Sequence, residues 1–205
     1  NGIDPDGYCD PSVVIDRTGR IIVSYLSYFP SPRHLTVSYT DDNGTNWTTV
    51  QVPGTFVNAD KEHLWVDNNL NSPYQGRIYM AFNDASSSWF DIVFTYSTDG
   101  GASWLAPPLE NISATVYPLP TKENLGVNIQ TGPQGQVYAC WSAIDDYGSV
   151  ANNMRIFFNK STDGGNNWLI GGAVPILTVT GASIVLGGGK SPVPKANLTI
   201  CALKT

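Results

Sequence analysis

Apolar and β-branched residues along this chain gather in short runs, and the segments between the runs are dense in Gly, Pro, Asn and Asp. The runs at residues 21–28, 35–39, 78–82, 92–96, 137–141 and 156–158 are rich in Ile, Val, Tyr and Phe, the side chains that fit a pleated, half-buried surface. They read as strands. No window of helical length carries an i, i+3, i+4 apolar pattern free of Gly and Pro, so helix content is expected to be close to nil.

The runs are ordered by an internal repeat. Three segments share the pattern Ser/Thr-x-Asp-x-Gly-x-x-Trp: Thr40, Asp42, Gly44 and Trp47; Ser97, Asp99, Gly101 and Trp104; Ser161, Asp163, Gly165 and Trp168. A second landmark precedes each of them, a glycine opening an apolar run at Gly19, Gly76 and Gly135. From glycine to box aspartate the chain runs 23, 23 and 28 residues. Two landmarks recurring in one order at nearly constant spacing define a structural repeat.

Each unit supplies four strands: a first strand (residues 11–16, 63–67 and 126–130), the Gly-led strand, the strand running into the box, and the strand leaving it. That is the composition of a propeller blade. The predicted fold is all-β, a β-propeller of four-stranded antiparallel blades. The chain is one architectural unit over residues 1–205, with blade 1 at about 10–57, blade 2 at about 58–118, blade 3 at about 119–180 and a partial blade at 181–205, or about three and a half blades. The Gly-led strands, apolar on both faces, are expected between neighbouring blades. The last strand of each unit carries more Thr, Pro and Asn and is expected outermost.

The box has a mechanical reading. It would form the hairpin turn between the third and fourth strands, with its glycine in a backbone conformation closed to other residues. The Asp carboxylate and the Ser or Thr hydroxyl can accept hydrogen bonds from the turn's N–H groups, and the Trp can fold back onto the blade. On this reading Asp42, Asp99 and Asp163 stabilise turns and perform no chemistry.

The three boxes resemble the bacterial neuraminidase repeats, or Asp boxes, of sialidases and sialidase-like extracellular proteins, and the resemblance runs from about Asp10 to Trp168. It implies a sialidase-like propeller of six blades. Taken to its functional end, it implies an exo-sialidase with an arginine triad, an acidic proton donor and a Tyr nucleophile partnered by Glu. The sequence has five arginines, at 17, 20, 33, 77 and 155, and lacks the Arg-Ile-Pro motif that marks the first of the triad. Arg20 and Arg77 hold equivalent repeat positions and are expected to cap blades. No catalytic residue of the family maps onto a numbered position here.

Composition narrows the partners. Charged residues make up 14% of the chain and the formal net charge is −6, without the basic stripe that tracks a phosphate backbone; nucleic acid is excluded as a partner. No run is long and apolar enough to span a bilayer, and the first ten residues do not form a signal peptide. A surface of Asn, Ser, Thr and Gly fits a secreted or cell-surface protein. Cys9, Cys140 and Cys201 make no CxxC pair; Cys140 reads as a buried small hydrophobe, with a disulfide as the alternative.

Two sets of polar residues are candidate contacts. Asp4, Asp6 and Asp10 surround a turn glycine and could form a calcium site or a solvated start to the first blade; no other cofactor is expected. Asp84, Trp89, Asp145 and Asp146 fall in loops at one end of the blades and are candidate ligand contacts, Trp89 by stacking on a sugar ring. Function is read as a carbohydrate- or protein-binding or assembly module at a cell surface, without identifiable catalytic residues. The alternatives are a glycoside hydrolase whose catalytic residues lie mostly outside this chain, and a structural subunit assembling through an open blade edge, either as a homo-oligomer or as part of a larger propeller.

Overall fold

The computed structural model describes residues 7–27, 34–54, 58–86, 90–106, 109–114, 123–144, 154–169 and 174–179. Among them there is no helix. Twelve strands form three antiparallel sheets of four, each in chain order. Blade 1 holds β1 (Gly7–Ile15), β2 (Ile21–Ser27), β3 (His34–Thr40) and β4 (Thr48–Gln51). Blade 2 holds β5 (Ala59–Val66), β6 (Ile78–Asp84), β7 (Asp91–Ser97) and β8 (Glu110–Asn111). Blade 3 holds β9 (Glu123–Thr131), β10 (Val137–Ile144), β11 (Met154–Ser161) and β12 (Val174–Val179). Residues 181–205, where the partial blade was expected, lie outside the described residues.

The sheets pack in sequence, β5 against β1 and β2, and β9 against β5, β6 and β7. Two apolar cores follow. One joins Ile22, Leu26, Leu35 and Val37 of blade 1 to Leu64, Val66, Ile78 and Met80 of blade 2. The other joins Tyr79, Ala81, Ile92 and Phe94 of blade 2 to Val127, Ile129, Val137 and Ala139 of blade 3. The Gly-led strand β6 alternates its side chains between these two cores, which is why its sequence is apolar on both faces.

The boxes close the β3–β4, β7–β8 and β11–β12 connections. In each, the Ser or Thr hydroxyl accepts from the glycine N–H, at 3.1 Å (Gly44), 2.9 Å (Gly101) and 2.8 Å (Gly165), and donates to the Asp carboxylate. The same carboxylate accepts the N–H of Asn46, Ser103 or Asn167. The Asn46 N–H, the Thr40 hydroxyl and the Asn46 amide hold Asp42 down at a pKa of about 2. For Asp99 and Asp163 burial pushes the other way, but their hydrogen bonds prevail and both stay below the ordinary value.

The box tryptophans do more than fold back onto their own blades. Trp168 meets Phe94 of blade 2 edge-on at 4.8 Å between ring centroids, and Trp104 belongs to the core shared with blade 1. Trp47 has no sheet before it among the described residues and is half-buried. Arg20 and Arg77 likewise act across blades, and Arg20 also holds its own blade through a bidentate ion pair with Asp41, 2.7 Å from Nε to Oδ1 and 2.8 Å from Nη2 to Oδ2. Arg20 donates to the Gly100 carbonyl (3.0 Å) in the box of blade 2, and Arg77 to the Gly164 carbonyl (2.6 Å) in the box of blade 3. Each guanidinium lies over a tyrosine, Tyr39 for Arg20 and both Tyr74 and Tyr96 for Arg77.

Near the start of each sheet's first strand lies a β-bulge, which sequence periodicity did not show. Residues 10–11 oppose Tyr25, residues 61–62 oppose Phe82, and residues 126–127 oppose Trp141, two against one each time. The first bulge residue has positive φ in all three, at Asp10 (53°), Lys61 (53°) and Gly126 (66°). The first strands therefore begin well before the predicted residues 11, 63 and 126. Past the bulge, a side chain ties each first strand to the next: Ser12 Oγ accepts the Leu64 N–H (3.0 Å) and His63 Nδ1 accepts the Ile129 N–H (3.3 Å).

Cys140 is half-buried and not fully buried as expected; among the described residues there is no disulfide.

Two outcomes test this packing. A Cβ on Gly165 (φ 88°) would come 2.6 Å from the Phe94 ring, whereas one on Gly19 (φ 93°) would meet nothing within 4 Å. Gly165→Ala should cost about 2–5 kcal/mol and Gly19→Ala about 1 kcal/mol, read by urea denaturation; equal losses would remove the crowding argument. The second concerns His63, which must be neutral at Nδ1 to accept the Ile129 N–H, and whose pKa burial holds below its ordinary value. The unfolded chain then takes up the proton first, so stability should fall as pH drops below about 6.5. His63→Asn, the residue type at the matching place in β9, should flatten that slope.

Candidate functional site

The bulges bring charge to the sheet end opposite the boxes. On blade 1 the bulge residue is Asp10; on blade 2 the sequence runs Asp60, Lys61, Glu62. Lys61 Nζ lies 3.0 Å from Asp10 Oδ2 and 3.6 Å from Asp60 Oδ1, joining the two blades. The Lys61 ammonium holds Asp10 below the ordinary carboxylate range, and Asp10 in turn raises Lys61. Burial pushes Asp60 up, and its contact with Asp10 pushes it further.

Glu62 is the anomaly. It is 6% exposed, and neither carboxylate oxygen has a hydrogen-bond partner. Its repeat equivalents, the second bulge residues of β1 and β9, are Pro11 and Val127, so an acid stands where its counterparts carry no charge. Burial, with the like charges of Asp10 and Asp60, raises its pKa to about 8, so it is mostly protonated at neutral pH. Ser24 Oγ, another buried atom without a partner, is on the residue paired with Ser12, whose hydroxyl holds the N–H two residues beyond Glu62.

Asn83, opposite Asp60 in the sheet, extends the polar ground towards blade 3. Its amide donates to the Asn124 and Phe90 carbonyls, while its Oδ1 is buried without a partner. Asn124 accepts from Trp141 Nε1 at 2.9 Å. A neutral acid and an ion-paired acid on adjacent first strands, with unpaired polar oxygens of Ser24 and Asn83 on the second strands beside them, are groups that can donate a proton and accept hydrogen bonds.

The twelve box residues all sit at the other end, in the turns described above. Of the expected ligand contacts, Asp84 ends β6 at the bulge end and accepts from the Ser86 N–H at 3.0 Å. Trp89, Asp145 and Asp146 lie outside the described residues, in the β6–β7 and β10–β11 connections. Asp4 and Asp6 are outside them as well. Asp10 faces the Lys61 ammonium at 3.0 Å, and among the described residues no group of three His, Cys, Asp or Glu side chains could hold a metal ion. Glu62 and Lys61 escaped sequence reasoning. The signal available was a charged triplet at a bulge whose equivalents in the other units are less charged.

The sequence matches no protein-family model and no curated protein. Solved structures do resemble it. Penicillium chrysogenum α-L-arabinanase, solved with arabinobiose, has a TM-score of 0.62 at 20% identity, over 87% of this chain and 52% of that one. The α-L-arabinofuranosidase of Fusarium graminearum gives 0.61 at 15% identity, over 87% and 51%. The phage phi92 endosialidase gives 0.53 at 15% identity, over 77% and 23%. The chain spans about half the length of the first two. Likeness at this identity shows the fold: the three sheets are part of a β-propeller, the architecture of these carbohydrate-active enzymes.

Removing the Glu62 charge gives a direct check on the site's electrostatics. With a folded pKa of about 8 against an ordinary 4.5, the native state holds the proton that the unfolded chain releases. Stability should therefore fall as pH rises between those values, by at most about 1.4 kcal/mol per pH unit. Glu62→Gln should remove the decline and be the more stable protein at alkaline pH, by denaturation across that range; a parallel pH profile would mean that Glu62 is ionised in the fold.

Proposed function

We propose that the chain is part of a secreted or cell-surface propeller of the Asp-box kind that binds carbohydrate at its bulge end. Residues 1–205 form one unit on this reading, with the boxes as structural turns. The observation that carries it is the cluster of Asp10, Asp60, Lys61 and Glu62 on adjacent first strands, away from every box. Sugars are recognised through hydroxyl groups, which suit a mixture of charged acceptors, a protonated acid and open amide oxygens. The resemblance to arabinan- and sialoside-acting propellers supports the same ligand class. Asp84, Trp89, Asp145 and Asp146 are proposed as further contacts, the last three from loops that leave the strands on this end.

A second reading, glycoside hydrolysis, is favoured by Glu62 itself. A carboxylic acid kept protonated by burial next to ionised carboxylates is how glycosidases hold a proton donor. The remaining catalytic groups would come from outside the described residues.

Calorimetric titration with arabino-oligosaccharides and sialyl-oligosaccharides tests the first reading. Asp60→Asn should weaken binding about tenfold or more, and Arg17→Ala, at the box end, should leave it unchanged. No binding by either sugar class, or equal effects of the two variants, would overturn it. For the second reading, turnover of an aryl glycoside should decline above about pH 8 in the parent and be lost in Glu62→Gln.

A further inference from the structure

Among the described residues, the buried side-chain atoms without a hydrogen-bond partner divide by chemistry between the two ends of the sheets. The nitrogens, Trp104 Nε1 and Trp168 Nε1, belong to boxes, and Tyr79 Oη is on a residue one pair from the box of blade 2. At the bulge end every such atom is an oxygen: both carboxyl oxygens of Glu62, Ser24 Oγ, Thr36 Oγ1 and Asn83 Oδ1. Ser24 is paired with Ser12, just past the first bulge, Thr36 with Tyr25, which faces that bulge, and Asn83 with Asp60.

Glu62 and Ser24 look into the same seam. Along β5, Glu62 shares a side with Leu64, and along β2, Ser24 shares a side with Ile22 and Leu26; these three apolar residues belong to the core that joins blades 1 and 2. Glu62 is 6% exposed and Ser24 fully buried. The neighbouring Asp60 and Lys61 side chains stay 38% and 50% exposed, so the buried acid lies next to groups that solvent, and a solute, can reach.

Charge at this end is as unbalanced as hydrogen bonding. Three carboxyl groups, Asp10, Asp60 and Glu62, share one ammonium, and Lys61 is already committed to the first two at 3.0 Å and 3.6 Å. The titratable groups that act on Glu62 are Asp10 on β1 and Asp60 and Lys61 on its own strand; β2, across the seam, carries no charged side chain. With no second cation to pair with, the buried carboxyl keeps its proton. A ligand carboxylate would bring only acceptors, and a negative charge, to a place that lacks donors. A hydroxyl brings one donor; an ammonium brings three, together with the missing positive charge.

We infer that the bulge-end site takes an amine-bearing sugar, whose ammonium group pairs with Glu62 beside the Asp10–Lys61–Asp60 ion pairs. This rests on the proposal that the site binds carbohydrate, and it names the class of sugar. An ammonium at the carboxyl favours the ionised form, so Glu62 releases its proton to solvent as the sugar binds, and the new carboxylate is balanced by the charge of the ligand. Selection follows charge: a sugar amine binds better than its neutral counterpart, and a sugar carboxylate is disfavoured.

Calorimetric titration of the full chain at about pH 6, where a sugar amine is charged and Glu62 holds its proton, should compare glucosamine oligosaccharides with N-acetylglucosamine oligosaccharides of the same length, in which a neutral amide replaces the ammonium. The amine series should bind about tenfold or more tightly. Its binding heat should vary with the ionisation enthalpy of the buffer as about one proton released per site requires, a readout taken on the parent chain and independent of how any variant folds. Glu62→Gln should level the two series and abolish the proton release, whereas Arg17→Ala should keep both. Equal affinity of the two series, amine binding without proton release, or a preference that survives Glu62→Gln would each overturn the inference and leave carbohydrate binding standing. No binding by any sugar would overturn both.

Discussion

Each box turn is pressed against the sheet that precedes it, and this close approach governs the rest of the structure. Gly101 and Gly165 have no side chain to spare: Ile22 and Val37 occupy the space beside the first, and the Phe94 ring the space beside the second. The positive φ that the turn needs and the room that the neighbouring sheet needs fall on one residue. The Asp carboxylate and the Ser or Thr hydroxyl then hold the turn rigid enough to serve as a packing surface. A box is thus a turn within its own blade and a socket for the previous one. In keeping with this, the tryptophan is buried in blades 2 and 3, each of which packs on the sheet before it, and half-buried in blade 1, which has no sheet before it among the described residues.

The two ends of the sheets are built by different physics. At the box end, ionised Asp carboxylates accept the N–H groups of their own turns, and the arginine latches donate to backbone carbonyls of the next blade. At the bulge end, an extra residue in each first strand leaves Tyr25, Phe82 and Trp141 facing two residues instead of one. Bulges re-aim side chains and interrupt the ladder, and they recur beside functional sites for that reason. In blade 3 the bulge holds Gly126 and Val127 and bears no charge; in blades 1 and 2 it holds Asp10, Lys61 and Glu62. The local geometry repeats and the chemistry does not, which separates what the fold requires from what it carries.

Local patterns were legible in the sequence and long-range partners were not. The boxes and the Gly-led strands are contiguous, so the four-stranded units and their order could be read directly, and the last strands do lie at the sheet edges. The bulges were missed because an extra residue breaks alternation without leaving a turn residue behind: Asp10 and Lys61 adopt positive φ that sequence reasoning assigns to glycine. The latches were missed because Arg20 and Arg77 meet carbonyls 80 and 87 residues further on. A carbonyl acceptor has no sequence signature, so nothing near either arginine could have named its partner.

Glu62 shows where such a reading can still reach function. A carboxylic acid buried without a hydrogen-bond partner costs stability that proline or valine at the same register would not. Asp10 and Asp60 add to that cost by disfavouring its ionised form, and Lys61 is turned towards them. These charged residues fall at the bulges of blades 1 and 2, and the matching bulge of blade 3 carries none. Their concentration on adjacent first strands, at the end free of boxes, is the pattern expected when a site's chemistry overrides the packing preference of the strand that holds it.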